Sequence, residues 1–343
     1  MDALGKGVRV VAVGGGNGLS MLLSGFKQFV DAGDDACPQI ENLAAIVTVS
    51  DDGGSSGRLR DEFQMLPPGD IRNCMVALSE DSNLLSRLFQ YRFEGTGELG
   101  GHSFGNIFLA ALSGITGDFA EAVRLSSEIL ASKGHIYPAT TANVHLKAEM
   151  EDGSVIDGES NIGRAGRGIR RLSLEPRSCK PMPEVLQAIH ESDVITLGPG
   201  SLFTSLLPPL LVEGVSSAIA GSRALKIFVC NLMTQPGETD GFTSRQHLEV
   251  VNEYAPEIQF DQIIVNSGAI TERQAELYKQ DGAEQIGIHG SIIGAPIEGA
   301  KIIYDNLLDD SEMVRHDPGK LAKLILDCTA SRTSADLHAN SGR

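Results

Sequence analysis

The residues best suited to chemistry in this chain stand in small polar blocks that follow apolar runs. The first is Gly14-Gly15-Gly16-Asn17-Gly18, with Ser20 close behind, after the run Val8–Val13. Glycines leave backbone N–H groups bare to an anion, and a helix opening near Ser20 adds the positive end of its dipole. A tight turn with no ligand needs one or two glycines, whereas here four of five consecutive positions are glycine. No lysine follows, so the block is not G-x-x-x-x-G-K-[ST]. Leu19 or Met21 stands where the third glycine of G-x-G-x-x-G would fall, which speaks against a standard dinucleotide dehydrogenase.

The second block, Ser50 to Arg60, places Asp51 and Asp52 after another apolar run. Two adjacent carboxylates can accept from ribose hydroxyls, hold a Mg²⁺ that bridges phosphates, or act as a base. Gly53, Gly54, Ser55, Ser56, Arg58 and Arg60 supply donors to phosphate from a loop. In Leu66 to Asn73, Asp70 is the expected N-cap of a helix, with Arg72 and Asn73 in reach of a phosphate or ribose. Gly101 to Asn106 offers His102 as an acid, base or donor, with Ser103 as a helix cap. A second glycine nest follows at Gly198, Gly200 and Ser201, with Thr204 and Ser205 on a first helical turn. Asn231, Thr234, Gln235 and Glu238 add groups suited to reading a base or sugar. There is no G-x-S-x-G and no H-E-x-x-H, so neither a hydrolase elbow nor a zincin is indicated.

The elements that must position these blocks are legible as alternating strands and helices. Val8–Val13, Leu43–Val49, Val194–Leu197, Leu225–Val229 and Gln262–Val265 are continuous rather than alternating, as in parallel strands covered on both faces. Helical periodicity marks Leu84–Phe93, Phe104–Leu112, Phe119–Leu130 and Glu184–His190. The expected fold is α/β, a Rossmann-like three-layer doubly wound, mostly parallel sheet. Residues 144–174 break the rhythm and read as a small antiparallel hairpin insertion around Glu151-Asp152-Gly153-Ser154. Residues 1–328 are expected to form a single nucleotide-binding domain, and 329–343 a flexible tail. Arg164, Arg167, Arg170 and Arg171 form a basic patch for an anion, a neighbouring subunit or solvent.

The 343 residues carry a formal net charge of −17, whose field repels nucleic acid and anionic membranes, so an anion must be held locally. The five cysteines lack any C-x-x-C pair and fit reduced thiols in a cytoplasmic protein. The first apolar run is too short to cross a membrane, so no membrane insertion is expected.

Six ordered blocks resemble the YvcK/CofD-like family, and within it the YvcK-type gluconeogenesis factors. They are residues 14–20, 48–60, 67–73, 101–106, 198–205 and 231–239. The resemblance implies a Rossmann-like sheet that binds nucleotide sugars such as UDP-glucose or UDP-N-acetylglucosamine. It also implies a role in growth on gluconeogenic carbon sources and in cell shape, protein partners in cell-wall synthesis, and a homo-oligomer. The related transferase branch moves 2-phospholactate from a nucleotide-activated donor to a deazaflavin with Mg²⁺. Asn17-Gly18 departs from the threonine-glycine pattern of that branch, as does the long Ser-rich second block.

The expectation is therefore a UDP-sugar-binding regulator, with Gly14 to Gly18 and Gly198 to Ser201 around the phosphates and Asp51, Asp52 and Asn231 on ribose, base or sugar. The alternative is a Mg²⁺-dependent transferase in which Asp51 or Asp52 holds the metal and His102 assists proton transfer. A weaker third is an oxidoreductase using NAD(P).

Overall fold

A computed structural model describes residues 7–31, 39–80, 83–287 and 299–341. The expected apolar runs are all strands. Among the described residues the strands are, in chain order, β1 (Val8–Gly14), β2 (Ile40–Val47), β3 (His135–Pro138), β4 (His145–Met150), β5 (Val155–Asp157), β6 (Ile169–Glu175), β7 (Val194–Leu197), β8 (Leu225–Val229), β9 (Gln262–Asn266) and β10 (Lys301–Asp305). Seven form one sheet in the order β10-β9-β8-β7-β1-β2-β3, and every pair in it is parallel.

Burial explains the unbroken apolar character of the central strands. Ala12, Val13, Ala45, Ile46, Val194 and Ile227 are fully enclosed because helices cover both faces. Helix Gly16–Phe26 turns Leu19, Leu22, Leu23 and Phe26 inward at three- and four-residue spacing and packs on helices Gly69–Leu78 and Pro318–Ser341. Each fully buried side chain of this size contributes about 1.5–3 kcal/mol.

The chain crosses the sheet in two directions from its centre. β1 pairs with β2 on one side, Val10 opposite Leu43, and with β7 on the other, Val10 opposite Val194. The order reverses between β1 and β7, and the chain leaves their carboxyl ends at a switch point of the kind where open α/β sheets place their ligands.

Two sequence expectations change. The insertion is a three-stranded antiparallel sheet, β5-β4-β6, with a short helix Glu159–Arg164 between β5 and β6, because β6 continues the pairing to Glu175. Residues 50–60, read as loop, run into helix Gly54–Phe63, in which Ser55, Ser56, Leu59 and Arg60 are buried. Its Gly- and Ser-rich sequence has weak helix propensity, so packing decides its state. The last helix runs from Pro318 to Ser341. Among the described residues no single helix is long and apolar enough to cross a membrane. Cys74, Cys179, Cys230 and Cys328 are free and buried; Cys37 lies outside the described residues.

Candidate functional site

The two glycine blocks meet. β1 delivers Gly14 and Gly15 to helix Gly16–Phe26, and β7 delivers Gly198 and Gly200 to a wide π-type turn, Leu202–Leu206, capped by Ser201. At Gly18 a Cβ would lie 2.3 Å from the Pro199 carbonyl oxygen, so only glycine lets the first helix turn rest on the second loop. Asn231 fixes that second loop from behind. Its Oδ1 accepts from the Gly200 N–H at 3.0 Å and its Nδ2 donates to the Gly200 carbonyl at 2.7 Å. The amide expected to read a base or ribose is thus engaged with the second glycine loop, and Asn231 also lines the cleft beside it.

Between the loops opens a cleft of about 860 Å³. Asn17, Gly18, Ser20, Gly200 and Ser201 form its floor and Asn73 one flank. Thr234 lines the opposite wall, where its hydroxyl accepts from the Glu284 N–H at 2.9 Å. Tyr278 and the segment Met313 to His316 close the far end. These last residues follow no recognisable motif and were not expected from the sequence. Burial holds His316 neutral, down at about 4.

Beneath the first glycine loop lies a basin of carboxylates. Asp70 is not an N-cap: Pro68 precedes the helix, and the Asp70 carboxylate turns inward to accept from the Gly16 N–H. A Cβ at Gly15 would stand 2.7 Å from its Oδ2. Burial, with Asp51 adding to it, pushes the Asp70 carboxyl up to about 6. Asp51 accepts from the Gly53 N–H at 2.8 Å, at the start of helix Gly54–Phe63. Glu159, brought in by the insertion, is pushed well above the carboxylate range by burial and by Asp51, Asp70, Asp52 and Glu238. Its Oε2 is buried with no hydrogen-bond partner. Glu238 is also raised by burial, and its Oε2 accepts from Ser201 Oγ at 2.8 Å.

Asp52 does not face the glycine loops. Its Oδ1 accepts from the Ser160 N–H at 2.8 Å and anchors the helix that carries Glu159. The basin does not form a closed metal cage: among the described residues no three His, Cys, Asp or Glu side chains group so as to hold a metal ion. Mg²⁺ is usually held by one or two carboxylates together with ligand phosphates, and this chain alone supplies no more than the carboxylate part.

The remaining blocks gather beside the basin. His102 is buried, its Nδ1 2.9 Å from Ser55 Oγ, while Ser103 caps helix Phe104–Thr116. Burial and the neighbouring Arg58 and Arg92 lower the His102 pKa. Arg58 donates to the Gly100 carbonyl at 2.7 Å beside His102, and Arg72 lies along Gly105, so neither is among the residues that line the glycine cleft. Arg60 donates to Asn143 Oδ1 at 3.0 Å and to the Val144 carbonyl, which ties the helix to the insertion. In the basic patch, Arg167 pairs with Asp152 and Arg170 with Glu149 at the surface.

Comparison with known proteins follows this geometry. The family described as 2-phospho-L-lactate transferase CofD matches residues 10–308. The gluconeogenesis factor of Halalkalibacterium halodurans is 43% identical over 97% of this chain and 99% of its own length. That of Bacillus subtilis is 42% identical over 94% of this chain and 99% of its own. A crystal structure of a UPF0052 family protein from Bacillus halodurans, 44% identical, covers 94% of this chain and 99% of its own with a TM-score of 0.87.

Proposed function

This chain belongs to the CofD family, and from that premise we propose that it is a gluconeogenesis factor, a cytoplasmic regulatory protein that binds a UDP-sugar in the cleft between its two glycine loops. One observation carries the reading: Gly18 and Gly200 are drawn together at the sheet's switch point, so that the start of helix Gly16–Phe26 and the loop that Asn231 holds at Gly200 line one cleft. A diphosphate needs two such cradles, and the amide, hydroxyl and aromatic groups beyond them suit a nucleoside. The growth and cell-shape role on gluconeogenic carbon sources then follows as a response to the level of that ligand, through a protein partner.

Calorimetric titration with UDP-N-acetylglucosamine, UDP-glucose, GDP and NADP⁺, with and without Mg²⁺, tests this. Saturable binding of the UDP-sugars with no breakdown is expected. Equal or tighter binding of NADP⁺ would favour a dinucleotide site and sink the reading.

A second reading, phosphate-ester transfer as in the transferase branch, is favoured by Asp70, a buried carboxyl held at about 6 directly under the first glycine loop. A group poised there suits proton transfer near neutral pH. Release of free nucleotide from an activated donor, abolished in Asp70→Asn, would decide for it.

A further inference from the structure

Helix Gly69–Leu78 reaches two places with residues two apart. Asp70 goes to the first glycine loop, and Arg72 runs along Gly105, where a Cβ would stand 2.9 Å from both Cγ and Cδ of the arginine. The strip Tyr91 to Phe104 folds back on itself beside it. The Phe93 N–H donates to the His102 carbonyl, the Gly101 N–H to the Phe93 carbonyl, and Arg92 bridges Ser103. That fold brings Arg92 Nη1 to 2.5 Å from the Gly101 carbonyl and Arg58 Nη2 to 2.7 Å from the Gly100 carbonyl. Three guanidinium groups and the buried His102 thus surround the start of helix Phe104–Thr116.

The cluster runs against the grain of this molecule. The chain has 45 acidic residues against 28 Lys and Arg, yet among the described residues none of Arg58, Arg72 and Arg92 forms a salt bridge. Their like charges are felt: Arg92 opposes the charge of Arg72, and Arg58 and Arg92 both oppose protonation of His102. Asp70 favours the Arg72 charge and Glu62 that of His102, but neither bonds to them. The donors are also far from satisfied. Arg72 uses Nη2 on Asn73 Oδ1 while its Nε is buried without an acceptor, and Arg58 and Arg92 each donate to a single carbonyl. The unmade hydrogen bond on the half-buried Arg72 is costly, Arg58 and Arg92 lie exposed at its side, and a guanidinium fork is shaped for carboxylate or phosphate oxygens.

We infer that Arg58, Arg72 and Arg92, with His102, form an anion subsite next to the carboxylate basin, which receives a carboxylate or phosphate carried on the sugar end of the bound nucleotide. The assignment rests on the nucleotide-sugar reading and narrows it to ligands whose sugar bears a negative charge. Asn73, adjacent to Arg72 and hydrogen-bonded to it, also lines the cleft, which connects the subsite to the nucleotide floor.

Two measurements test it. In calorimetry, UDP-glucuronate carries a C6 carboxylate where UDP-glucose carries a hydroxymethyl group. The wild-type protein is expected to bind UDP-glucuronate at least about tenfold more tightly, the size of a charge-assisted bond, and Arg92→Gln to bring UDP-glucuronate down to the level of UDP-glucose. Separately, the ring resonances of His102 are titrated by NMR in inorganic phosphate and in chloride. A phosphate among the arginines should raise the His102 pKa by about half a unit or more, and Arg92→Gln should remove that response.

Equal affinity for the two sugars overturns the subsite as a sugar-end site, even where phosphate moves His102. If neither UDP-sugar binds, the nucleotide-sugar reading fails, and the phosphate response of His102 alone decides whether an anion subsite exists. An unmoved His102 then overturns it as well.

Discussion

Asn231 grips Gly200 by both of its amide groups, at 3.0 and 2.7 Å, and so a residue at the end of β8 dictates the shape of the loop at the end of β7. The two strands are neighbours in the sheet, and the clamp spans their carboxyl ends.

Asn231→Ala removes two hydrogen bonds and should lower stability by about 1–3 kcal/mol. UDP-sugar affinity should fall at least about tenfold, since the loop loses its form as well as its support. Urea denaturation and calorimetry on the same preparation check both; a stable variant with unchanged affinity would contradict the clamp.

Gly18→Ala presses a methyl group onto the Pro199 carbonyl, and backbone rather than a flexible side chain must move. The expected cost is about 1–3 kcal/mol, with the two glycine loops forced apart. Alanine at Gly114, where a Cβ meets nothing within 4 Å, serves as the control and should leave the cleft untouched.

Asp70 makes stability depend on pH in a defined direction. Its carboxyl sits at about 6 in the folded protein, above the ordinary value of 3.8. The folded state therefore holds the proton longer, and the stability this gives is complete below pH 4 and lost as pH rises through about 6. Asp70→Asn, which keeps an acceptor for the Gly16 N–H, should be more stable than wild type by about 1–3 kcal/mol at pH 7.5, and the gain should vanish near pH 4. Denaturation curves at the two pH values give the answer.

Asp52 anchors helix Glu159–Arg164 through the Ser160 N–H. Asp52→Ala removes a cap of about 0.5–2 kcal/mol, so exchange of the Ser160 amide should quicken by roughly 2- to 30-fold. The amides of β1 and β7 should be unaffected. Ligand binding should weaken only through displacement of Glu159.

The sheet core was legible because a buried parallel strand has to be apolar on both faces, and the runs ending at Val13, Val49, Leu197, Val229 and Val265 are buried at those ends. The edge strands β3 and β10 escaped because they are less buried than the central ones, with His135, Lys301, Tyr304 and Asp305 exposed. Helix Gly54–Phe63 escaped because its local preference is weak. The glycine blocks announced the cleft floor, since that chemistry is written in consecutive residues. Glu159 and Met313 to His316 could not be found in the same way. They enter the site from segments more than a hundred residues away from the first glycine loop, and nothing in their local sequence marks the encounter. Asp52 and Asn231 carried plausible ligand chemistry, yet each is engaged with a backbone group of the protein itself.

The central position of β1 governs how the protein must be made. Its pairing with β2 can form once the first fifty or so residues exist, but its other edge waits for β7, since Val10 lies opposite Val194. At ordinary ribosomal speeds that interval is on the order of ten seconds or more. Throughout it, β1, whose Val10 to Val13 are buried in the folded protein, offers an open hydrogen-bonding edge with the first glycine loop at its tip. A ribosome stalled before codon 194 should therefore expose an intermediate with an unpaired β1 edge, prone to aggregation.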